Sequence, residues 1–205
     1  MESEGRQITE AVRQMTKLHH DIAALLKTVE QDILSDTEWS VYSVGRAGNI
    51  AIAETSSSIG NPGMWMPRYM FRFFVSDVRP QILMFVSVIL DGWDHEQEQF
   101  KEPLVCAGFF DYGESGRYDN RWRWWYSRIG AWTAWDADYG VVNEVDLAKV
   151  PTAKDMKVKR VGLITVPLVS IQTAADLKNN LIDKLITYLE YAPKVISKDE
   201  LPCVQ

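Results

Sequence analysis

Three apolar segments between residues 67 and 113 constrain the fold of this 205-residue chain more than any other feature. Residues 67–77, 81–91 and 103–113 are rich in β-branched and aromatic side chains and are bounded by Pro, Gly or Asp, a pattern typical of β-strands. The connection between the first two, Val78-Arg79-Pro80, is too short for a crossover, so these strands must pair antiparallel. We therefore expect a β-meander at the centre of one sheet.

Two amphipathic helices are predicted on either side of the strands. From Arg6 to Leu34, apolar residues recur at three- and four-residue steps without an intervening Gly or Pro. The same spacing fits a heptad, so this helix either packs on its own domain or forms a helix-to-helix dimer seam. The second helix should begin at Thr173, with Asp176 in the position of a capping-box acid, and end at Pro193.

The order of helix, strands and helix predicts an α+β fold with one mostly antiparallel sheet of about five to seven strands around the meander 67–113. Residues 1–193 are assigned to a single domain and residues 194–205 to a loosely held tail. Two further strands are expected to form a hairpin, from Trp39–Arg46 and Asn49–Glu54, around Ala47-Gly48.

The central strands are apolar on both faces, since even-numbered residues from Ile82 to Leu90 and most odd-numbered residues between them are hydrophobic. Two helices can cover only one face of such a sheet. The second face must therefore be solvated, closed by curvature or covered by a partner, and because it is apolar we expect it to be covered.

Composition restricts the classes of partner and the compartment. The net charge of −6 disfavours a surface that binds nucleic acid as a whole, although the local basic patch 154–160 leaves such binding open. Two cysteines provide neither a disulfide framework nor a metal-binding spacing. The N-terminus has no signal-like apolar segment, and no stretch is long enough to span a membrane. These features predict a cytoplasmic protein that does not interact with membranes.

The second distinctive segment concentrates tryptophan and arginine, because five of the eight tryptophans lie between residues 117 and 135. Either its aromatic face completes the core, or its indoles and guanidiniums form a platform for a protein, a small molecule or nucleic acid. The candidate binding residues are Arg121, Trp122, Arg123, Trp124, Trp125 and Arg128.

Motifs for catalysis are missing from the sequence. It contains no phosphate-binding glycine loop, dinucleotide fingerprint, nucleophile elbow or helical zinc pair, so we predict no cofactor and disfavour an enzyme. The acidic loop 91–98 offers oxygen and imidazole donors without the order of a known metal loop. The turn-rich loop 55–63 is either a lid or a simple connection.

Three functions follow in order of preference. The first is an interaction or assembly protein, a homo-oligomer or complex subunit acting through the Trp/Arg segment or the first helix. The second is a curved sheet that binds a small apolar ligand in a tryptophan-lined pocket. The third is a metal-dependent hydrolase or nuclease that uses carboxylates at strand ends, namely Glu54, Asp77, Asp91 and Asp111.

Overall fold

A computed structural model describes residues 4–35, 37–42, 51–53, 59–60, 66–67, 69–90, 102–113, 138–149 and 158–191. Its helices are α1 (Glu4–Ser35), α2 (Ala174–Leu177) and α3 (Asp183–Tyr191), with a π-helical turn, Lys178–Ile182, between α2 and α3 and 3₁₀ turns at Leu147–Lys149 and Leu168–Ser170. Its strands are β1 (Trp39–Tyr42), β2 (Ala51–Ala53), β3 (Tyr69–Ser76), β4 (Ile82–Ile89), β5 (Leu104–Asp111), β6 (Asn143–Glu144) and β7 (Arg160–Pro167).

All seven strands belong to one sheet in which every pairing is antiparallel, which confirms the predicted α+β class. The order is β1-β3-β4-β5-β7-β6, with β2 also paired to β3. The meander β3-β4-β5 occupies the centre, as predicted. Its first connection is tight, because the Ser76 hydroxyl accepts from the amides of Val78 and Arg79.

The predicted hairpin between residues 39–46 and 49–54 is wrong for the strands that the structure describes. Strands β1 and β2 both pair antiparallel with β3, so they run in the same direction and lie end to end along one edge of that strand. Gly48 indicated a turn, but local turn chemistry does not determine which strand receives the hydrogen bonds of each arm.

One face of the sheet packs against the helices. Ile22, Leu26 and Val29 of α1 and the apolar side of the C-terminal helix, residues 174–191, cover side chains such as Met84 and Val86 of β4. The capping box predicted at the start of this helix is confirmed, since Thr173 and Asp176 bond reciprocally.

The π-helical turn explains how four leucines of the C-terminal helix are all buried, namely Leu177, Leu181, Leu185 and Leu189. Each four-residue step in an α-helix rotates roughly 40° beyond a full turn, so three steps would move the last leucine by about 120° around the helix. In the π turn the Asp183 amide donates to the Lys178 carbonyl, five residues back. This wider winding offsets the drift and keeps the leucines on the sheet.

The second face of the sheet is also buried within the single chain. Its side chains include Phe71, Phe85 and Phe110, all almost fully inaccessible to solvent. The expectation that this face is covered is therefore confirmed, and its burial requires no partner chain.

Two glycines let aromatic rings lie across the sheet. Gly108 pairs with Phe85, whose ring covers it on the second face, and Gly162 pairs with Phe109, whose ring covers it on the helix face. A Cβ atom at either glycine would lie less than 3 Å from the covering ring. The two glycine–phenylalanine pairs thus fill both faces of the sheet around β5.

Candidate functional site

Among the described residues, an apolar stripe is exposed on the N-terminal half of α1. A heptad pattern runs along the helix, and its C-terminal members, including Val29, are buried against the domain. In the N-terminal half the same pattern continues through Ile8, Val12 and Met15, which we call the N-terminal stripe. Ile8 is 66% exposed and Val12 is 60% exposed. The side of the helix that packs on the domain therefore extends beyond it into solvent.

Small and hydroxyl-bearing side chains flank the N-terminal stripe between Ile8 and Thr16. Thr9 and Thr16 lie on one side, and their hydroxyls donate to the helix carbonyls of Gly5 and Val12 at 2.9 Å each. Ala11 lies on the other side. Because the helix itself satisfies the threonine hydroxyls, the surface from Ile8 to Thr16 presents mainly methyl groups and methylenes, and His19, four residues after Met15, continues the same side of the helix with an imidazole. Such a surface can dock on an apolar partner without desolvating a charge.

Two charged pairs of this half of α1 lie on the side opposite the stripe. Lys17 Nζ lies 2.8 Å from Asp21 Oδ2, and Arg13 lies 3.9 Å from Glu10. Exposed pairs at this spacing each contribute only a few tenths of a kcal/mol, by order of magnitude. Their position leaves the apolar face free for contact.

A groove lined by both apolar and polar residues, Asp21 and Gln172 among the polar ones, lies beside the stripe, between α1 and the segment that leads into α2. It has a volume of about 380 Å³, and its lining includes Leu18, Leu25, Leu168, Ile171 and Leu177. We call it the α1 groove. Val169, in the 3₁₀ turn at Leu168–Ser170, is 68% exposed. The N-terminal stripe and the α1 groove thus lie next to each other along the same helix.

A polar cluster at the β6 end of the sheet joins β6, β7 and α3. The Glu144 carboxylate accepts hydrogen bonds from Arg160 Nη2 and the Tyr188 hydroxyl, and the Arg160 guanidinium lies 6.0 Å above the ring of Phe109. The bonds from Tyr188 and Arg160 lower the pKa of Glu144, whereas burial and the neighbouring carboxylate raise the pKa of Tyr188. Both pKa values move further from pH 7, so the cluster is a poor candidate for acid–base catalysis. Its hydrogen bonds instead hold α3 on the sheet.

A partly buried ion pair joins α1 to the sheet. Arg72 of β3, with a side chain only 5% exposed, bonds through Nη2 to the carboxylate of Glu30. Arg79 makes a similar link, since it donates to the Leu189 carbonyl at 2.8 Å and lies 3.1 Å from Glu38. These arginines position the helices and are engaged in the structure.

The candidate residues of the Trp/Arg segment, Arg121, Trp122, Arg123, Trp124, Trp125 and Arg128, lie outside the described residues, as do the loop 91–98 and most of the loop 55–63. Their role as a binding surface stays a prediction. The tail 194–205 and the basic residues Lys154 and Lys157 also lie outside that part. Of the basic patch 154–160, Lys159 is exposed and Arg160 is paired with Glu144.

Of the four carboxylates proposed for a metal site, two lie outside the described residues and two lie within them. Glu54 and Asp91 lie outside the described residues, while Asp77 is exposed in the β3–β4 connection. Asp111 is buried, and its Oδ1 accepts from the Gly113 amide at 2.9 Å, a turn-stabilising role. Within the described part of the chain, no three His, Cys, Asp or Glu side chains are grouped to hold a metal ion.

The α1 groove was not predicted from the sequence. Residue Leu18 and residue Ile171 are far apart in the chain, and only the packing of α1 against the start of the C-terminal helix brings them together. The heptad pattern of α1 predicted an apolar stripe along the helix, but it did not show at which residue the domain ceases to cover that stripe.

Comparison of the chain with protein-family models, with curated proteins and with solved structures finds no match. None of the described helices combines the length and the continuous apolar character needed to cross a membrane.

Proposed function

We propose that this protein is an interaction or assembly protein that self-associates through the N-terminal stripe and the α1 groove. One observation carries the proposal: a single heptad stripe is buried at Val29 and exposed at Ile8 and Val12. Large apolar side chains in a row on a projecting helix are typical of a contact surface. The proposed location is the cytoplasm, where a buried free thiol such as Cys106 stays reduced.

A second copy of the chain fits this surface better than an unrelated partner because the surface is self-complementary. Ile8 precedes Met15 by seven residues, and Ile22, beside the α1 groove, follows it by seven. Each interval is roughly 10.5 Å along the helix. An antiparallel pair with its two-fold axis near Met15 therefore places Ile8 of each copy level with the groove of the other.

Charge supports the same arrangement. Two identical surfaces that face each other across a two-fold axis bring like groups together, so charged flanks would repel. The flanks of the stripe are Thr9, Thr16 and Ala11, and the Asp21 carboxylate that lines the groove is paired with Lys17 at 2.8 Å. The interface also uses stripe and groove twice, which doubles the apolar area that one such contact would bury.

The test is the solution mass of the full chain, measured by light scattering over a concentration series. We expect the mass to approach twice 23.5 kDa as concentration rises. Val12→Glu should prevent this, because the two-fold axis introduces the charge twice. If each copy costs about 1.4 kcal/mol, the dissociation constant rises about 100-fold. Gln14→Glu introduces the same charge on the opposite side of the helix and should dimerise like the wild type.

Thermal melts of both variants establish that they fold, which we expect because Val12 and Gln14 are exposed. A wild-type mass of 23.5 kDa at every concentration would refute the proposal. Equal dimerisation of Val12→Glu and Gln14→Glu would refute the contact surface.

Cysteine crosslinking tests the direction of the helix pair in a Cys203→Ser background. Met15→Cys should form a disulfide-linked dimer on oxidation, since the axis brings the two copies of residue 15 together. Ile8→Cys should not, because its two copies lie roughly 21 Å apart in the antiparallel pair. Efficient crosslinking at residue 8 would instead show a parallel pair.

A further inference from the structure

Three small side chains that carry hydroxyl or thiol groups form a row across the second face of the sheet. Ser87 of β4 pairs with Cys106 of β5, and Cys106 pairs with Thr165 of β7. Alternation along each strand places all three on the face that carries Phe85 and Phe110. All three residues are completely buried. The row is independent of the surface proposed for self-association.

The hydroxyls of this row are buried without partners in the part of the chain that the structure describes. Neither Ser87 Oγ nor Thr165 Oγ1 makes a hydrogen bond there. The Cys106 thiol reaches the Ala107 carbonyl of its own strand at 4.0 Å, a weak contact. Nearby backbone groups are engaged in the β-ladder. Buried hydroxyls are normally satisfied, so two exceptions at the two ends of one row indicate a missing partner.

The shape of the face agrees with this interpretation. On one side of the row, Ile89 pairs with Leu104, and on the other, Phe85 lies over Gly108 while Leu163 continues the line. Ser, Cys and Thr are shorter than these neighbours. The row therefore places three small side chains between lines of larger ones on this face.

The chemistry of the row selects a neutral occupant. Its groups are uncharged, and burial raises the pKa of the Cys106 thiol far above its ordinary value, so the thiol stays protonated. An ion would lose its hydration without gaining an opposite charge from the row. Hydroxyl and thiol groups both donate and accept, so they match a molecule that does the same.

We propose that Ser87, Cys106 and Thr165 form one binding site for a neutral, hydrogen-bonding guest. The guest is either a pair of linked water molecules or a small organic molecule with hydroxyl or carbonyl groups. In both cases it contacts the hydroxyls at the two ends of the row and so couples them.

A double-mutant cycle on the full chain tests this coupling. Ser87 and Thr165 are two strands apart, roughly 10 Å, a distance at which substitutions without a shared partner are nearly additive. Ser87→Ala and Thr165→Val remove the hydroxyls with little change in shape. We expect each to lower the melting temperature. We expect the melting temperature of the double variant to fall by less than the sum of the two single decreases, with a difference of about 2 °C or more.

The matched control lies on the opposite face, where Val86, Ala107 and Ile164 form a row with the same spacing. The pair Val86→Ala and Ile164→Val should be additive. Additive losses in both pairs, or equal coupling in both, would overturn the proposal. A Thr165→Val variant more stable than the wild type would also overturn it, since it would show an empty site.

Native mass spectrometry distinguishes the two sources of the guest. If the polar pair is coupled, an added mass that disappears on denaturation and is absent from the double variant identifies an organic molecule. Coupling with no added mass identifies water. An organic guest would also support the small-ligand function considered from the sequence.

Discussion

Substituting Gly162 by alanine should destabilise the sheet through one identifiable clash. A Cβ atom at Gly162 would lie 2.4 Å from Cε1 of Phe109 and 2.8 Å from its Cζ, well inside ordinary contact distance. The φ angle of Gly162 is not in the left-handed region, so alanine can adopt the backbone conformation. The cost is therefore overpacking, about 1–3 kcal/mol in the free energy of unfolding. Urea denaturation measures this loss.

The cause can be isolated with Phe109→Leu, which removes the ring that the new methyl group meets. The double variant Gly162→Ala, Phe109→Leu should be more stable than the two single losses predict, by about 1–2 kcal/mol. Gly108 provides the matched control. Its new Cβ would lie 2.7 Å from the Phe85 ring but also 2.5 Å from the Gly162 carbonyl, which the sheet holds in place. Phe85→Leu should therefore fail to rescue Gly108→Ala. Equal rescue at both sites, or rescue at neither, would refute the reasoning.

Two further predictions concern the C-terminal helix. Bonds from Tyr188 and Arg160 lower the pKa of Glu144 in the folded state, so its contribution to stability is present above the ordinary value of 4.5 and is lost as pH falls below it. Glu144→Gln should therefore destabilise the protein at pH 7, by less than about 1 kcal/mol because the side chain is half exposed, and the deficit in urea denaturation should vanish in acid. Thr173→Ala removes the hydroxyl that caps the Asp176 amide and should cost about 1 kcal/mol, whereas Thr173→Ser should retain most of the stability in the same assay.

Local patterns were sufficient to predict the main elements of this fold. The apolar runs predicted β3, β4 and β5, the three-residue connection required an antiparallel pair, and the Thr173 box predicted where the C-terminal helix starts. Each of these predictions depends on residues that are close in the sequence. The confirmed sheet, with its helices on one face, follows from them because few arrangements bury all the apolar strands.

Two features depended on longer-range interactions and were missed. The segment from residue 39 to residue 53 contains turn-forming residues, but its described strands both pair with β3, whose backbone N–H and C=O groups compete for their hydrogen bonds. The π turn, Lys178–Ile182, left a trace in the sequence, because the leucines of the C-terminal helix recur at four-residue steps throughout. A continuous α-helix would turn some of these leucines away from the sheet. Burial of all four against the sheet therefore favours the π turn.

The two interpretations of the first helix, domain packing and a dimer seam, apply to different halves of it. Packing accounts for the helix from about Ile22 onward, where the heptad residues are buried, and leaves Ile8 and Val12 without cover in the described structure. Both halves have the same apolar pattern, so periodicity alone could not divide them. Burial of the second sheet face within the chain removes the strongest alternative surface for an apolar contact among the described residues. The projecting half of α1 is accordingly the surface on which the proposed assembly depends.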